Sequence, residues 1–400
     1  MPAFHKELFY RGKLSLMRRV FSKPQPKPLM FSGAGSSVTL CRTIAQFGLC
    51  KILVVTDKPL LELGIADGIV ASLNSMGVET VIYDGVKPDP TTQVVDDGIA
   101  LLRQSGCDSV LALGGGSSID TAKVVALAAA NDCNAESCKG LNQCKLPALP
   151  LFAIPTTAGT GSEGTFIAVV SDNVTHEKSG VVDVALIPRA AALDPELMRG
   201  LPPHITAATG MDALTHAIEA YIGTWGTPDT DFFAVAAVRL VFENLPEACR
   251  NGDNLQAREA MAQASYYGGL AITNAMVGYV HAVSHNLGAK YGVPHGLGNA
   301  MVLPHMLELM KGAATDKLAE LAVHSGLGDT SESPAALAQK LIDRVWALNA
   351  EIGIPKTTDV IREEDVDALV DAALSEGSGY PTRRFLERDE CERVIRALRA

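Results

Sequence analysis

Three short apolar runs constrain this chain most: Ile52-Leu53-Val54-Val55, Thr80-Val81-Ile82-Tyr83 and Ser109-Val110-Leu111-Ala112-Leu113, each followed by a stretch of helical periodicity. The helical stretches run from 59 to about 76, from 93 to 105, and from the glycines after Leu113 to about 130. Strand and helix alternating in units of roughly 25–35 residues demand right-handed crossovers, hence a parallel sheet covered on both faces. Such a sheet takes its ligands beyond the carboxyl ends of its strands.

After Leu151 the pattern changes. Extended segments are expected at 151–154, 165–170 and 181–186, and beyond Pro202-Pro203 nearly everything has helical periodicity, broken near 223–228, 292–298 and 326–334. A domain boundary therefore falls near 200. Four hundred residues suit two domains, and 47% hydrophobic with 20% charged residues excludes disordered, collagenous and disulfide-scaffold chains.

The third apolar run ends in Gly114-Gly115-Gly116-Ser117-Ser118-Ile119-Asp120-Thr121-Ala122-Lys123. Glycines directly after a buried strand let backbone approach a ligand closely, and a helix opening at Ser117 or Ser118 aims free N–H groups at an anion. That suits a pyrophosphate cradle, although the run is neither G-x-G-x-x-G nor a P-loop and also reads as a plain strand-to-helix turn. A second glycine/hydroxyl loop, Pro155-Thr156-Thr157-Ala158-Gly159-Thr160-Gly161-Ser162-Glu163, follows another apolar strand and could hold phosphate or ribose. Asp57 closes the first strand, where a carboxylate can accept from both ribose hydroxyls and repel a 2′-phosphate; it equally suits the cap of a helix starting at Pro59.

Nine histidines occur, four of them in two short stretches of the helical half. Asp212 and His216 stand i, i+4, as do His281 and His285, so each pair shares one helix face; His295 follows a Gly-Val-Pro turn that can fold it back to the same point. Imidazoles with a carboxylate suit Fe2+ or Zn2+ rather than Mg2+ or Ca2+. Of the eight cysteines, only Cys133, Cys138 and Cys144 cluster, and gaps of four and five residues do not match C-x2-C pairs, so reduced thiols rather than a metal site are expected there.

The formal charge of −11 is uneven: residues 1–30 carry seven basic residues against Glu7, a net +6, which leaves −17 for the rest. An acidic body with 5% aromatics argues against nucleic-acid binding. The basic segment reads as a surface helix ended by Pro24, Pro26 and Pro28, with a mitochondrial transit peptide as the alternative. No apolar run is long enough for a membrane span, and the expected location is the cytoplasm, or the mitochondrial matrix if the arm is a transit peptide.

Taken in order, the motifs resemble the iron-containing (group III) alcohol dehydrogenase family: Gly114-Gly115-Gly116-Ser117 with Asp120-Thr121-Ala122-Lys123, the loop 155–163, the stretch 208–219, and His281-x3-His285 followed by Pro294-His295-Gly296. The resemblance runs from about Phe31 to the C-terminus and implies α/β plus all-α architecture. A basic arm would cover 1–27, a Rossmann-like parallel-sheet dinucleotide-binding domain 28–200, and an all-helical metal-binding domain 201–400, with the metal in the cleft between. It further implies Asp212, His216, His281 and His295 as ligands of Fe2+, with Zn2+ the alternative, and His285 as the residue facing substrate and nicotinamide, able to relay the alcohol's proton. For the cofactor it implies Asp57, Asp89, Gly114, Gly115, Gly116, Ser117, Asp120, Thr121, Thr156, Thr157, Thr160 and Lys178, with NAD favoured over NADP by Asp57 and Lys178 reaching the nicotinamide ribose.

The implied partners are a small alcohol or aldehyde and further copies of the chain, as a homodimer or larger oligomer. The implied reaction is reversible oxidation of a primary alcohol or diol. Glycerol, lactaldehyde/propanediol or dehydroquinate-synthase-like chemistry on the same scaffold are the near rivals; metal-dependent hydrolysis and metal or nucleotide sensing are the distant ones. Two positions depart from the family: Asn286 stands where Pro is usual, and Asp89 where Asn is common, adding negative charge on the expected adenosine side.

Overall fold

Alternate residues of the buried strands part to opposite faces of one sheet. The computed structural model describes residues 3–174 and 177–400. Among them the strands are β1 (Leu29–Ser32), β2 (Lys51–Asp57), β3 (Glu79–Val86), β4 (Ser109–Gly114), β5 (Gly140–Leu141), β6 (Leu151–Pro155), β7 (Ile167–Ser171), β8 (Lys178–Val182) and β9 (Ala190–Leu193). Six form a wholly parallel sheet ordered β1-β9-β6-β4-β2-β3, while β5, β8 and β7 make a small mixed sheet.

On one face Ile52, Val54, Leu111, Leu113, Phe152 and Ile154 pack with Leu40, Ile44, Ile69 and Leu73 from the helices Ser36–Gln46 and Asp67–Ser75. On the other, Leu53, Val55, Val110, Ala112 and Ala153 meet Val95, Ile99 and Leu102 of Thr92–Ser105 and Ile119, Ala122 and Val125 of Gly116–Ala130. Each buried aliphatic side chain contributes roughly 1.5–3 kcal/mol, and a one-residue slip would exchange the two faces, so register is firmly set. Because β3 and β4 flank β2 on opposite sides, the strand order reverses there, and Asp57 and Gly114 end neighbouring strands at that reversal.

The expected alternation is present, with differences at its edges. The stretch 59–76 is two helices, Lys58–Glu62 and Asp67–Ser75, separated at Gly64. Strands β1 and β9 were not expected, and the segment 181–186 turns from β8 into a short 3-10 turn at Val184–Leu186.

The chain forms two compact units, one comprising 25–201 with 252–266 and the other 202–251 and 267–400 together with the N-terminal segment up to Pro24. The second is helical: Pro203–Ile222, Pro228–Arg250, Tyr279–Tyr291, His295–His324, Pro334–Glu351, Val366–Gly377 and Arg388–Ala397. The expected breaks near 223–228 and 326–334 are present, that at 292–298 is shorter because the helix restarts already at His295, directly after Pro294, and further breaks at 276–278, 352–365 and 378–387 were not expected. The basic segment is indeed a helix, Ala3–Phe21, but not a separate arm. Leu14 and Phe21 are buried, Phe21 lies 5.6 Å from Trp225, and Asn274 donates to the carbonyls of Phe21 and Lys23. No helix among the described residues is long and apolar enough to cross a membrane.

Candidate metal centre and nucleotide cradle

Three helices of the second unit bring their histidines to one point. Pro203–Ile222 carries Asp212, His216 and Glu219 on one buried face, Tyr279–Tyr291 carries His281 and His285, and His295–His324 begins with His295 itself. Gly292, at φ 68°, ends the middle helix in the left-handed region. A side chain at Gly296 would collide with the Ala208 carbonyl, so only glycine lets His295 come this close.

One ligand atom from each of Asp212, His216, His281 and His295 lies within 4.8 Å of the others. Asp212 Oδ1 stands 3.3 Å from His295 Nε2, 3.8 Å from His216 Nε2 and 3.9 Å from His281 Nε2. His281 donates from Nδ1 to Glu219 Oε2 at 2.6 Å, which leaves its Nε2 lone pair facing Asp212. Burial and the neighbouring imidazoles hold His281 well below the ordinary histidine range, keeping it neutral. Burial alone would raise Asp212, yet His216, His295 and His281 hold its carboxyl well below the usual range. Glu219 is pushed up to about 8 by burial, although the N–H groups of Gly278 and Val280 donate to it at 2.9 and 2.8 Å.

Asn299 adds a polar donor at the centre: its Nδ2 lies 2.7 Å from Asp212 Oδ1, 3.1 Å from His281 Nε2 and 3.2 Å from His295 Nε2. Two amide hydrogens cannot satisfy three acceptors, and Asn299 Oδ1, also buried, has no hydrogen-bond partner. Lone pairs outnumber donors here, so a divalent cation of the Fe2+ or Zn2+ kind fits the donor set. Sequence reasoning missed Glu219 and Asn299. Spacing could have found them, since they follow His216 by three and His295 by four residues on the same helix faces.

His285 lies beside this group, its ring stacked on His295 at 5.1 Å between centroids. Its Nδ1 holds Glu376 Oε1 at 2.6 Å, which turns Nε2 to the opposite side of the ring. Asn286, the departure from the family pattern, stays within the helix and donates to Ala282 O at 2.7 Å and to Glu376 Oε2 at 3.0 Å.

In the α/β unit, Gly114 has φ 150°, and a Cβ there would strike Ser118. A Cβ on Gly116 would lie 2.6 Å from Thr160 Cγ2. The helix Gly116–Ala130 opens without a side-chain cap, so its first N–H groups point outward at the end of β4, as an anion site requires. Thr156 N donates to Gly114 O at 3.0 Å and joins the second loop to the first; Thr157 and Thr160 stand half-buried beside the glycines.

Five of the expected cofactor residues have partners or packing within the protein itself. Asp57 caps Lys58–Glu62, accepting from Leu60 N at 3.0 Å. Asp120 accepts from Ser162 Oγ at 2.6 Å and from Val169 N at 2.9 Å, so both its oxygens serve the protein. Thr121 is wholly buried, and its hydroxyl has no hydrogen-bond partner among the described residues. Lys178 pairs with Asp89 at 2.6 Å, so the extra negative charge at 89 is matched by the lysine.

Behind the cradle lies a group that sequence reading passed over. Lys123 is fully buried and donates to Ser162 Oγ at 2.9 Å, Thr165 Oγ1 at 2.8 Å and Ile167 O at 2.7 Å. Burial lowers its pKa to about 8 and raises that of the nearby buried Glu163 to about 7. The three cysteines set aside on spacing also come together, with the sulfurs of Cys133, Cys138 and Cys144 all within 4.8 Å.

Comparison with known proteins agrees with these motifs. The family model described as iron-containing alcohol dehydrogenase matches residues 27–195, and that described as Fe-containing alcohol dehydrogenase family, C-terminal, matches 206–399. The chain is 38% identical over 369 residues to alcohol dehydrogenase 4 of Schizosaccharomyces pombe, covering 91% of this chain and 86% of that protein. It is also 38% identical over 351 residues to the NAD-dependent methanol dehydrogenase of Bacillus methanolicus, covering 87% and 92%. Among solved structures it is similar to a 1,3-propanediol oxidoreductase, with a TM-score of 0.90, 38% identity, and 93% and 98% of the two chains covered.

Proposed function

The chain belongs to the iron-containing alcohol dehydrogenase family, and from that premise we propose that it interconverts a small primary alcohol or diol and its aldehyde with NAD, holding iron at Asp212, His216, His281 and His295. The observation that carries this reading is the convergence of four ligand atoms within 4.8 Å, with more lone pairs than hydrogens. When bound, iron supplies Lewis-acid polarisation of the substrate oxygen and NAD the acceptor for hydride.

The chain's own residues orient and protect. Glu219, by accepting from His281 Nδ1, fixes the tautomer that turns Nε2 inward. His285 takes the alcohol's proton at Nε2, with Glu376 stabilising the resulting imidazolium through Nδ1. The amides of Gly116, Ser117 and Ser118 would receive the pyrophosphate, and Gly114 and Gly116 allow the close approach of backbone to Ser118 and Thr160 that shapes the loop. Asp57, while capping its helix, would accept from the adenosine ribose and so repel a 2′-phosphate. The NAD-linked methanol dehydrogenase relative supports the choice of NAD. Eight free cysteines support a reducing compartment, the cytoplasm.

The test is anaerobic purification and elemental analysis, paired with a panel of alcohols and aldehydes against NAD(H) and NADP(H). Iron at one equivalent in the histidine site and NADH formation with short primary alcohols or diols are expected. No NADH with any alcohol, despite full metal, would overturn the reading. Asp57→Ala should raise kcat/KM for NADP relative to NAD roughly tenfold, the effect of removing about 1.4 kcal/mol of repulsion; an unchanged ratio would free Asp57 of any cofactor role.

A further inference from the structure

The helix Gly116–Ala130 carries the cradle at its start and a thiol cluster just beyond its end. Cys138 is buried and Cys133 and Cys144 are half-buried. Cys138 Sγ lies 3.6 Å from Cys133 Sγ and 3.6 Å from Cys144 Sγ. The chain reaches this arrangement through left-handed residues at Asp132, Gly140 and Asn142, which fold twelve residues back on themselves.

The fold-back is held at every side. Asn131 donates to Leu127 O and Leu146 O, both at 2.9 Å, and accepts from the N–H groups of Lys145 and Leu146 at 3.0 and 2.8 Å, so the residues after Cys144 are tied to the helix end. Arg103 donates to Cys133 O at 3.2 Å, Asp96 accepts from Ala135 N at 2.8 Å, and Asn134 caps the turn Ala135–Cys138. The sulfurs are therefore preorganised by backbone that does not depend on them.

We propose that Cys133, Cys138 and Cys144 form a second metal site, for a thiophilic ion of the Zn2+ kind, with three thiolates and a fourth position open to water. A tetrahedral ion with metal–sulfur bonds of about 2.3 Å sets its sulfurs about 3.8 Å apart, close to the two separations found here. A disulfide would need one pair to close to about 2.05 Å and would leave the third thiol unused. Binding replaces three S–H protons by one cation, the protons passing to solvent. The site explains why three cysteines converge where the spacing rule for paired ligands predicts nothing: the ligands come from three points of one loop rather than from two C-x2-C turns.

The full-length protein, stripped of metal under reductant, is titrated with Co2+ alone. Two equivalents should bind, one of them bringing a thiolate-to-cobalt charge-transfer band that a histidine/aspartate site does not produce, and added Zn2+ should bleach that band. Cys138→Ser and the half-buried Cys144→Ser should each lose the band and one equivalent while keeping the other, and His281→Ala should keep the band. Absence of the band in the parent protein, its persistence in both serine variants, or six rather than eight reactive thiols in protein denatured with chelator but without reductant would each overturn the proposal, the last by revealing a disulfide.

Discussion

Asp212 and Asp120 are both carboxylates withdrawn from water, but what stands beside them differs. Around Asp212 are three imidazoles, which can give up a proton to make room for a metal ion, and the Asn299 amide. Asp120 and Glu163 have Lys123, whose three N–H groups are filled by Ser162, Thr165 and the Ile167 carbonyl. Burying a carboxylate is costly unless a countercharge is supplied. The helical unit leaves that charge to something exchangeable, and chemistry can happen there. In the α/β unit the charge is covalent, and the cluster's work is to lock the glycine/threonine loop to the helix of the cradle.

Metal withdrawal is the harshest way to break this contrast. Chelation, or His281→Ala, should cost roughly a thousandfold or more in kcat/KM, the several kcal/mol of Lewis-acid assistance, while NAD affinity measured by calorimetry stays near the parent value. Turnover in metal-free protein would collapse the distinction. Next in size, Lys123→Met strands the buried Asp120 carboxylate and should destabilise the α/β unit by about 3–5 kcal/mol in urea unfolding. Added iron should not restore it, because the countercharge lost is a side chain rather than a bound ion; stability equal to the parent would show that the lysine is not the countercharge.

How much of this contrast the residues reveal on their own depends on whether a feature repeats at a fixed spacing. The parallel strands β2, β4 and β6 and the paired histidines were legible, since apolar runs and i, i+4 pairs report local geometry directly. Strand β9 was not: Ala190, Ala191 and Ala192 have no strand preference and are extended only because the sheet buries them. The motif reading placed Asp120 and Thr121 with the cofactor because they follow the glycines, yet one turn into a helix they face the protein. Lys123 belongs to the same run, and a lysine among alanines and valines signals burial with partners, though not which ones. Glu376, Asn299 and the cysteine cluster depend on tertiary folding that no single-sequence period records.

A milder test separates the two clusters by pH. Burial raises Glu163 to about 7 from an ordinary 4.5, so the folded protein keeps this proton where the unfolded chain has lost it. Its stabilising contribution is complete below about 4.5 and disappears as pH rises through 7. Lys123, lowered to about 8 from 10.5, acts only above that range, adding stability as pH climbs from 8 to 10.5. Between pH 5 and 7.5 the parent should therefore lose on the order of 1–3 kcal/mol that Glu163→Gln does not lose. Parallel melting curves for the two proteins across that window would remove Glu163 from the account.

The smallest effect probes the helical unit from its rim. His281 and His285 each hold a carboxylate by Nδ1 at 2.6 Å, but Glu219 is buried whereas Glu376 is half-buried and also takes Tyr380 OH at 2.6 Å and Asn286 Nδ2 at 3.0 Å. Asn286→Ala removes one of several donors to Glu376 and leaves His285 its own bond. With a single hydrogen bond worth about 0.5–1.5 kcal/mol, the expected loss in kcat/KM is two- to tenfold, metal content unchanged, with the alkaline or acid limb of the pH profile displaced because the partner of His285 has changed. A loss equal to that of His281→Ala would mean that Asn286 supports the metal centre itself; an unmoved pH profile would mean that Asn286 does not act on His285 through Glu376.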